Sequence, residues 1–160
     1  MGAGNAPCLR LAKPGNPTLN QACSFTGMTE QPIILFDGVC HLCDRSVQFV
    51  LARDPQEQFC FAALQSDIGR QLLEKAAPEA MGLNSVVLIV DGVAYLKSDA
   101  ALRIAARLSG AWPLLRVFLL VPRPVRDWAY DWVARNRYRW FGRSAACWVP
   151  APKWRRRFLS

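Results

Sequence analysis

Two cysteines separated by two residues, Cys40 and Cys43, stand directly after a short apolar run and a turn. The run at 33–36 (IILF) is typical of a strand covered on both faces, and Asp37-Gly38 turns the chain after it. Apolar residues then recur at helical spacing. The sequence therefore predicts a strand, a turn and a helix whose first turn carries both sulfurs within bonding range of each other.

A dithiol at the start of a helix is suited to thiol–disulfide exchange. Unpaired backbone N–H groups and the positive end of the helix dipole favour an anion at the first cysteine. We therefore expect Cys40 to be the attacking thiolate. Cys43, one turn further in and expected to be less exposed, would resolve the mixed disulfide. We expect no cofactor beyond a redox-active Cys40–Cys43 disulfide.

Three neighbours are candidates for modifying this dithiol. Asp37 either accepts the proton of Cys43 as a base or serves as a turn and helix-entry residue that hydrogen-bonds local N–H groups. His41 is the only histidine. When protonated it would stabilise the thiolate and raise the reduction potential, and otherwise it shapes access or is an incidental exposed residue. Gly38, in the same turn, is the third candidate.

Zinc binding is the alternative chemistry for a CxxC motif. A structural zinc site takes four ligands, usually from two such pairs. Only His41, Cys60 and Cys147 remain as further candidates here, and their spacing is irregular. We therefore expect no metal, a small buried side chain at Cys60, and a structural or further redox role for Cys147. Cys8 and Cys23 lie in the N-terminal extension.

The positive charge belongs to the C-terminal third of the chain. Residues 1–96 hold six Lys/Arg against nine Asp/Glu, whereas residues 97–160 hold fourteen against three. Such a surface suits an anionic membrane surface or an acidic protein, and it is also what a merely solvated face looks like. No zinc finger or RNP-like motif is present, so we expect no specific nucleic-acid partner.

The ends of the chain and its longest apolar run indicate the compartment. The first 20 residues contain no continuous apolar segment of the kind found in signal peptides, so we expect a cytoplasmic protein. The apolar run at 112–122 contains Arg116 and is far shorter than the roughly 20 residues of a membrane span. Residues 1–30 show no sustained hydrophobic periodicity and are interpreted as a flexible extension. Met28 is an alternative site at which translation could start.

The remaining periodicity predicts an α/β core of the order β-α-β-α-β-β-α. Strands are expected at 33–36, 59–64, 85–90 and 93–96, and helices up to about 53, over 66–77 and over 98–108. Ser66-Asp67 is a helix-capping signal and Asp91-Gly92 a hairpin signal. Residues 31–110 would form this core. Residues 111–160 would form a basic, Trp-rich extension packed on it, with helices at about 113–121 and 124–137.

The motif DGVCHLC at 37–43 resembles the DCC family of predicted thiol–disulfide oxidoreductases, named for its Asp-Cys-Cys signature. The likeness continues through FAALQSDIGRQLL at 61–73, VPRPVRDWAY at 121–130 and ARNRYRWFGR at 134–143. It covers about residues 32–160.

This resemblance implies a thioredoxin-like fold and a redox role for Cys40 and Cys43, with Asp37 as the third signature residue. One departure concerns substrate binding. Thioredoxins place a cis-proline just before the third strand, facing the dithiol, but the stretch at 81–85 contains no proline, and His-Leu stands where thioredoxins have Gly-Pro. We therefore expect substrate to be bound differently.

Two functions are compatible with the sequence. The first is an enzyme that exchanges disulfides with a protein or a small thiol or disulfide substrate. The second is a thioredoxin-like binding module that docks on a partner or an anionic membrane surface through residues 111–160. That segment combines its arginines with all six tryptophans of the chain, at positions 112, 128, 132, 140, 148 and 154.

Overall fold

A four-stranded mixed sheet forms the centre of the protein. The computed structural model describes residues 31–80, 85–142 and 150–159. The strands are β1 (Ile33–Phe36), β2 (Cys60–Ala63), β3 (Val87–Val90) and β4 (Val93–Leu96). Their order across the sheet is β2-β1-β3-β4. β1 runs parallel to β2 and antiparallel to β3, and β3 runs antiparallel to β4.

Helices connect and cover these strands. The α-helices are α1 (His41–Arg53), α2 (Asp67–Ala76), α3 (Lys97–Ala105) and α4 (Arg123–Phe141). The 3₁₀ helices are η1 (Pro78–Ala80), η2 (Trp112–Leu120) and η3 (Pro152–Arg157). The predicted β-α-β-α-β-β-α order is confirmed, and the architecture agrees with a thioredoxin-like α/β fold. None of the helices in the described ranges is long and apolar enough to cross a membrane.

The central strand β1 is buried on both faces, as its continuous apolar run predicts. Ile34 and Phe36 pack in a cluster that contains residues of α1 and α3. Ile33 and Leu35 pack in a second cluster, against Leu73 of α2. Because successive strand residues point to opposite faces, the two clusters form the two layers of core on either side of the sheet.

Local signals in the sequence account for the connections. Asp91 and Gly92 both have positive φ, as a two-residue type I′ hairpin between β3 and β4 requires. The hydroxyl of Ser66 accepts a hydrogen bond from the backbone N–H of Gly69 at 3.0 Å and so caps α2. The apolar run expected to be a helix at 113–121 is a 3₁₀ helix, η2, which begins one residue earlier.

The C-terminal residues are built into the core. Phe158 forms a bridge to Phe61 of β2 and stacks on its ring, with centroids 5.2 Å apart. Arg157 is only 2% exposed, donates to the carbonyl of Phe59 at 3.0 Å and pairs with the buried carboxylate of Asp54. Part of the basic C-terminal segment is therefore interior structure rather than a surface for a partner.

Two adjacent arginines of η3, one buried and one exposed, test whether part of this segment is interior. Replacing Arg157 with Ala leaves the Asp54 carboxylate buried without its cation, so we expect the free energy of unfolding to fall by about 3–5 kcal/mol. Arg156 forms an exposed ion pair with Glu57. Arg156→Ala should change stability by less than about 1 kcal/mol. Urea unfolding of both variants measures the two values, and equal values would contradict the assignment of Arg157 to the core.

Candidate functional site

The two cysteines lie at the start of α1, directly after β1. Cys40 is the N-cap residue, with extended backbone angles (φ −110°, ψ 117°), and its carbonyl accepts the first helical hydrogen bond, from the N–H of Asp44 at 3.0 Å. Its own N–H donates to the carbonyl of Asp37 at 3.3 Å. Both Cys40 and Cys43 are free thiols. The chain therefore places the dithiol in the first turn, as the sequence predicts.

The exposure of the two thiols is the reverse of our expectation. Cys40 is 0% exposed, whereas Cys43 is partly exposed. The prediction that Cys43 would be the less exposed one is wrong. Cys40 follows a turn that stays inside the protein after β1, where Asp37 is 1% exposed. Cys43, one turn further along, lines an apolar cavity.

The environment of Cys43 disfavours its thiolate. Burial raises the pKa of the Cys43 thiol to about 12, and the charge of Cys40, a hydrogen bond with Cys40 and the charge of Asp37 act in the same direction. The guanidinium of Arg137 opposes them, since its Nη1 lies 3.7 Å from the Cys43 sulfur. Cys43 is therefore a protonated thiol at neutral pH.

The Asp37 carboxylate accepts four hydrogen bonds. Its Oδ1 accepts from the backbone N–H of Val39 at 3.2 Å and from Nε2 of Gln65 at 2.8 Å. Its Oδ2 accepts from Nη2 of Arg137 at 2.9 Å and from the hydroxyl of Tyr138 at 2.6 Å. The bond from Val39 is the turn role predicted for Asp37. The other three bonds come from distant parts of the chain and fix the carboxylate in place.

Gln65 holds the same turn from the end of β2. Besides donating to Asp37, its Oε1 accepts from the backbone N–H of Gly38 at 3.1 Å. The chain next to Gln65 is itself aligned with β1, because the N–H of Leu64 donates to the carbonyl of Phe36 at 2.9 Å. Gly38 thus contributes its backbone to the site.

Arg137, like Gln65 and Tyr138, is a site residue that the sequence did not predict. It is 3% exposed, comes from α4, and pairs with an aspartate 100 residues away along the chain. Burial opposes its charge, yet the nearby Cys43, Tyr138 and Cys40 raise the pKa of Arg137. A usable signal was the spacing of Tyr130, Ala134 and Arg137, which puts all three on one helix face. An apolar stripe by itself does not indicate this face, because Arg137 is charged.

His41 stands beside the dithiol but outside its hydrogen-bond network. Its side chain is exposed. Its ring lies close to the residue that follows α4, since a side chain added at Gly142 would meet the His41 ring at 3.7 Å. Its charge lowers the pKa of Asp44, although burial has the larger, opposite effect on that carboxyl.

The further candidate zinc ligand Cys60 lies away from the dithiol. Cys60 pairs with Ile33 at the start of the parallel strands, about 10 Å along them from the end where the dithiol lies. It is buried, as expected. Within the described ranges, no group of three or more His, Cys, Asp or Glu side chains is arranged to hold a metal. Cys8, Cys23, Cys147 and the stretch at 81–84 lie outside the described residues.

Comparison with known proteins shows what the chain is similar to. The family model of the DCC1-like thiol-disulfide oxidoreductases matches residues 34–143. The chain is 45% identical over 127 residues to the protein YuxK of Bacillus subtilis, which covers 79% of this chain and 93% of YuxK. It is 41% identical over 130 residues to a chloroplastic DCC family protein of Arabidopsis thaliana, covering 81% of this chain and 76% of that protein. No solved structure matches significantly.

Asp44, in the first turn of α1, makes the stability of the protein depend on pH. It is 5% exposed, and its Oδ1 has no hydrogen-bond partner. Burial, together with the charge of Asp37, raises its pKa to about 6 from the ordinary 3.8, while His41 lowers it. Because the folded state binds this proton more tightly than the unfolded state, stability falls as the pH rises from about 4 to 6 and stays low above that range.

Asp44→Asn removes the buried carboxylate and therefore this loss of stability at neutral pH. We expect its free energy of unfolding at pH 7.5 to exceed that of the wild type by the order of 1 kcal/mol, with the gain shrinking toward pH 4. Asp67→Asn is the matched control, since Asp67 is exposed in the first turn of α2 and its loss should bring no gain. Urea unfolding at both pH values measures this, and an Asp44→Asn protein less stable than the wild type at pH 7.5 would refute it.

Proposed function

Because the chain belongs to the DCC1-like thiol-disulfide oxidoreductase family, we propose that Cys40 and Cys43 are its redox-active pair, with Cys40 as the nucleophile and Cys43 as the resolving thiol. The observation that carries these roles is the raised pKa of Cys43, about 12, to which the charge of Cys40 contributes. Only the thiolate attacks a disulfide. The Cys43 thiol stays protonated at neutral pH, which leaves Cys40 as the attacking sulfur of the pair.

The position of Cys40 on α1 supports the same order. On α2 the N-cap residue Ser66 accepts a hydrogen bond from the helix N–H of Gly69, whereas α1 has no side-chain cap at Cys40. The first-turn N–H groups of α1 are thus available to a sulfur anion at the cap position. A Cys40 thiolate would do for α1 what the Ser66 hydroxyl does for α2.

The proposed reaction has two steps. The Cys40 thiolate attacks a substrate disulfide, forms a mixed disulfide, and expels the other substrate sulfur as a thiolate. Cys43 then loses its proton and attacks the Cys40 sulfur, which releases the second substrate thiol and leaves the Cys40–Cys43 disulfide. Two electrons pass to the substrate. Since Cys40 is 0% exposed, the start of α1 opens before the attack.

In this mechanism Asp37 positions Arg137 rather than acting as the base for Cys43. Three of its hydrogen bonds fix the carboxylate in place, and the fourth, from Nη2 of Arg137, holds the guanidinium beside the Cys43 sulfur. There the positive charge favours the Cys43 thiolate at the moment of the second step. His41, when protonated, favours the thiolate of the dithiol as a modulator. Gly38 keeps the Asp37 turn in place.

Serine variants test these roles. Cys40→Ser should abolish disulfide reduction, because the attacking sulfur is gone. Cys43→Ser should trap a mixed disulfide on Cys40, because nothing resolves it. Mass spectrometry after mixing each reduced variant with a model disulfide measures both outcomes. Activity that survives Cys40→Ser, or a mixed disulfide that builds up faster on Cys43 than on Cys40, would contradict the assignment.

We propose as a second function that the C-terminal part attaches the enzyme to an anionic membrane surface. The exposed apolar residues of η2 and α4 favour this. Each is between 51% and 84% exposed: Leu114, Val117, Phe118, Leu120, Val125, Trp128 and Trp132. They lie in the segment that carries fourteen Lys/Arg against three Asp/Glu. Apolar side chains among basic ones suit the interface of an anionic bilayer.

Vesicle binding tests this attachment. The protein should sediment with phosphatidylserine vesicles at low salt, less so at high salt, and little with phosphatidylcholine vesicles. Leu120→Ser combined with Trp128→Ser should weaken binding, whereas Val93→Ser, at an exposed apolar residue on β4, should not. Absence of binding at low salt would overturn the proposal. Binding to polyglutamate without binding to vesicles would also overturn it and indicate an acidic protein partner.

We place the enzyme in a reducing compartment, in which a CxxC pair cycles rather than staying oxidised. The cytoplasm is our proposed location. The relative from Arabidopsis thaliana is named as chloroplastic.

A further inference from the structure

A cavity of about 470 Å³ lies between the sheet and the helices α1, α3, η2 and α4. Its volume is that of a small-molecule site and far exceeds a packing defect, because protein interiors rarely leave voids larger than a water molecule. Most of its wall is aliphatic or aromatic, as six of the lining residues illustrate: Phe49, Val50, Ile104, Leu108, Trp112 and Leu115.

Polar groups in the wall gather around Cys43. Cys43 lines the cavity, and so does Arg137, whose Nη1 lies 3.7 Å from the Cys43 sulfur. The Nε of Arg137 is buried and has no hydrogen-bond partner. The hydroxyl of Tyr130, also in the wall, accepts from the N–H of Val86 at 3.1 Å and retains its own proton to donate. The cavity thus combines an apolar body with donors beside a redox sulfur.

We propose that this cavity binds the substrate, a small disulfide with apolar substituents. The inference rests on the proposed function, because it names the substrate class of the same dithiol. The apolar substituent fills the space between α1, α3 and η2, which releases its hydration water. One substrate sulfur then lies beside Cys43. Cys40 does not line the cavity but is hydrogen-bonded to Cys43, so it reaches the substrate sulfur when the start of α1 opens.

The reaction balances with the groups already named. The dithiol and one disulfide RSSR give the Cys40–Cys43 disulfide and two RSH. One S–S bond is broken and one is formed, two electrons move from the protein sulfurs to the substrate sulfurs, and the two thiol protons end on the products. During the second step the cavity still holds the remaining apolar group as Cys43 attacks Cys40.

A matched pair of model disulfides tests the substrate class. Dipropyl disulfide and bis(2-hydroxyethyl) disulfide differ only in a methyl group against a hydroxyl group at each end. The reduced protein should be oxidised at least about tenfold faster per mole by dipropyl disulfide. Burying each methyl group in a hydrophobic pocket strengthens binding, whereas desolvating each hydroxyl group weakens it. Rates are measured in single turnover and divided by those of dithiothreitol with each disulfide.

Filling the cavity should remove this preference. Ala134 lines the cavity one turn before Arg137, so Ala134→Leu should slow oxidation by dipropyl disulfide about tenfold and leave the rate with bis(2-hydroxyethyl) disulfide within about twofold. Ala129→Leu, on an exposed part of the same helix, is the control and should change neither rate.

The outcomes separate this inference from the proposed function. Equal normalised rates with the two disulfides in the wild type would overturn the apolar-substrate inference while leaving the redox pair intact. A preference that Ala134→Leu does not reduce, in a variant shown by thermal unfolding to be folded, would also overturn it. Oxidation of neither thiol by either disulfide would instead contradict the proposed function.

Discussion

The buried ion pair between Asp37 and Arg137 ties the dithiol to the rest of the protein. Asp37 directly follows β1, and Arg137 lies in α4, 100 residues later in the chain. Two charges removed from water are tolerated only when they meet each other and their remaining hydrogen bonds are made. That requirement brings α4 against the start of α1, and it leaves the guanidinium next to the Cys43 sulfur. One interaction thus serves both the fold and the chemistry.

The same principle explains part of the uneven charge of the chain. The acidic N-terminal part and the basic C-terminal part meet in ion pairs inside or across the fold: Asp37 with Arg137, Asp54 with Arg157, and Glu57 with Arg156. Two of these three pairs are buried. Some of the basic excess therefore neutralises the protein's own carboxylates.

The sequence predicts the elements well because local rules determine them. The apolar run of β1, the Ser66 cap of α2 and the Asp-Gly hairpin each follow from a few neighbouring residues. The burial of Cys40 and the role of Arg137 depend on contacts made across the fold. An arginine in a basic segment resembles a solvated residue until its distant carboxylate is known. For the same reason the helix position of the two cysteines was predicted correctly and their exposure was not.

The reduction potential of the Cys40–Cys43 pair tests the central claim most directly. The protein is equilibrated in glutathione buffers of known potential, and its free thiols are alkylated and located by mass spectrometry. We predict that both cysteines become protected together in one reversible two-electron transition. In such a transition, each tenfold change in the ratio of oxidised to reduced protein corresponds to about 30 mV. Independent oxidation of the two cysteines, or thiols that stay free across the whole series, would contradict it.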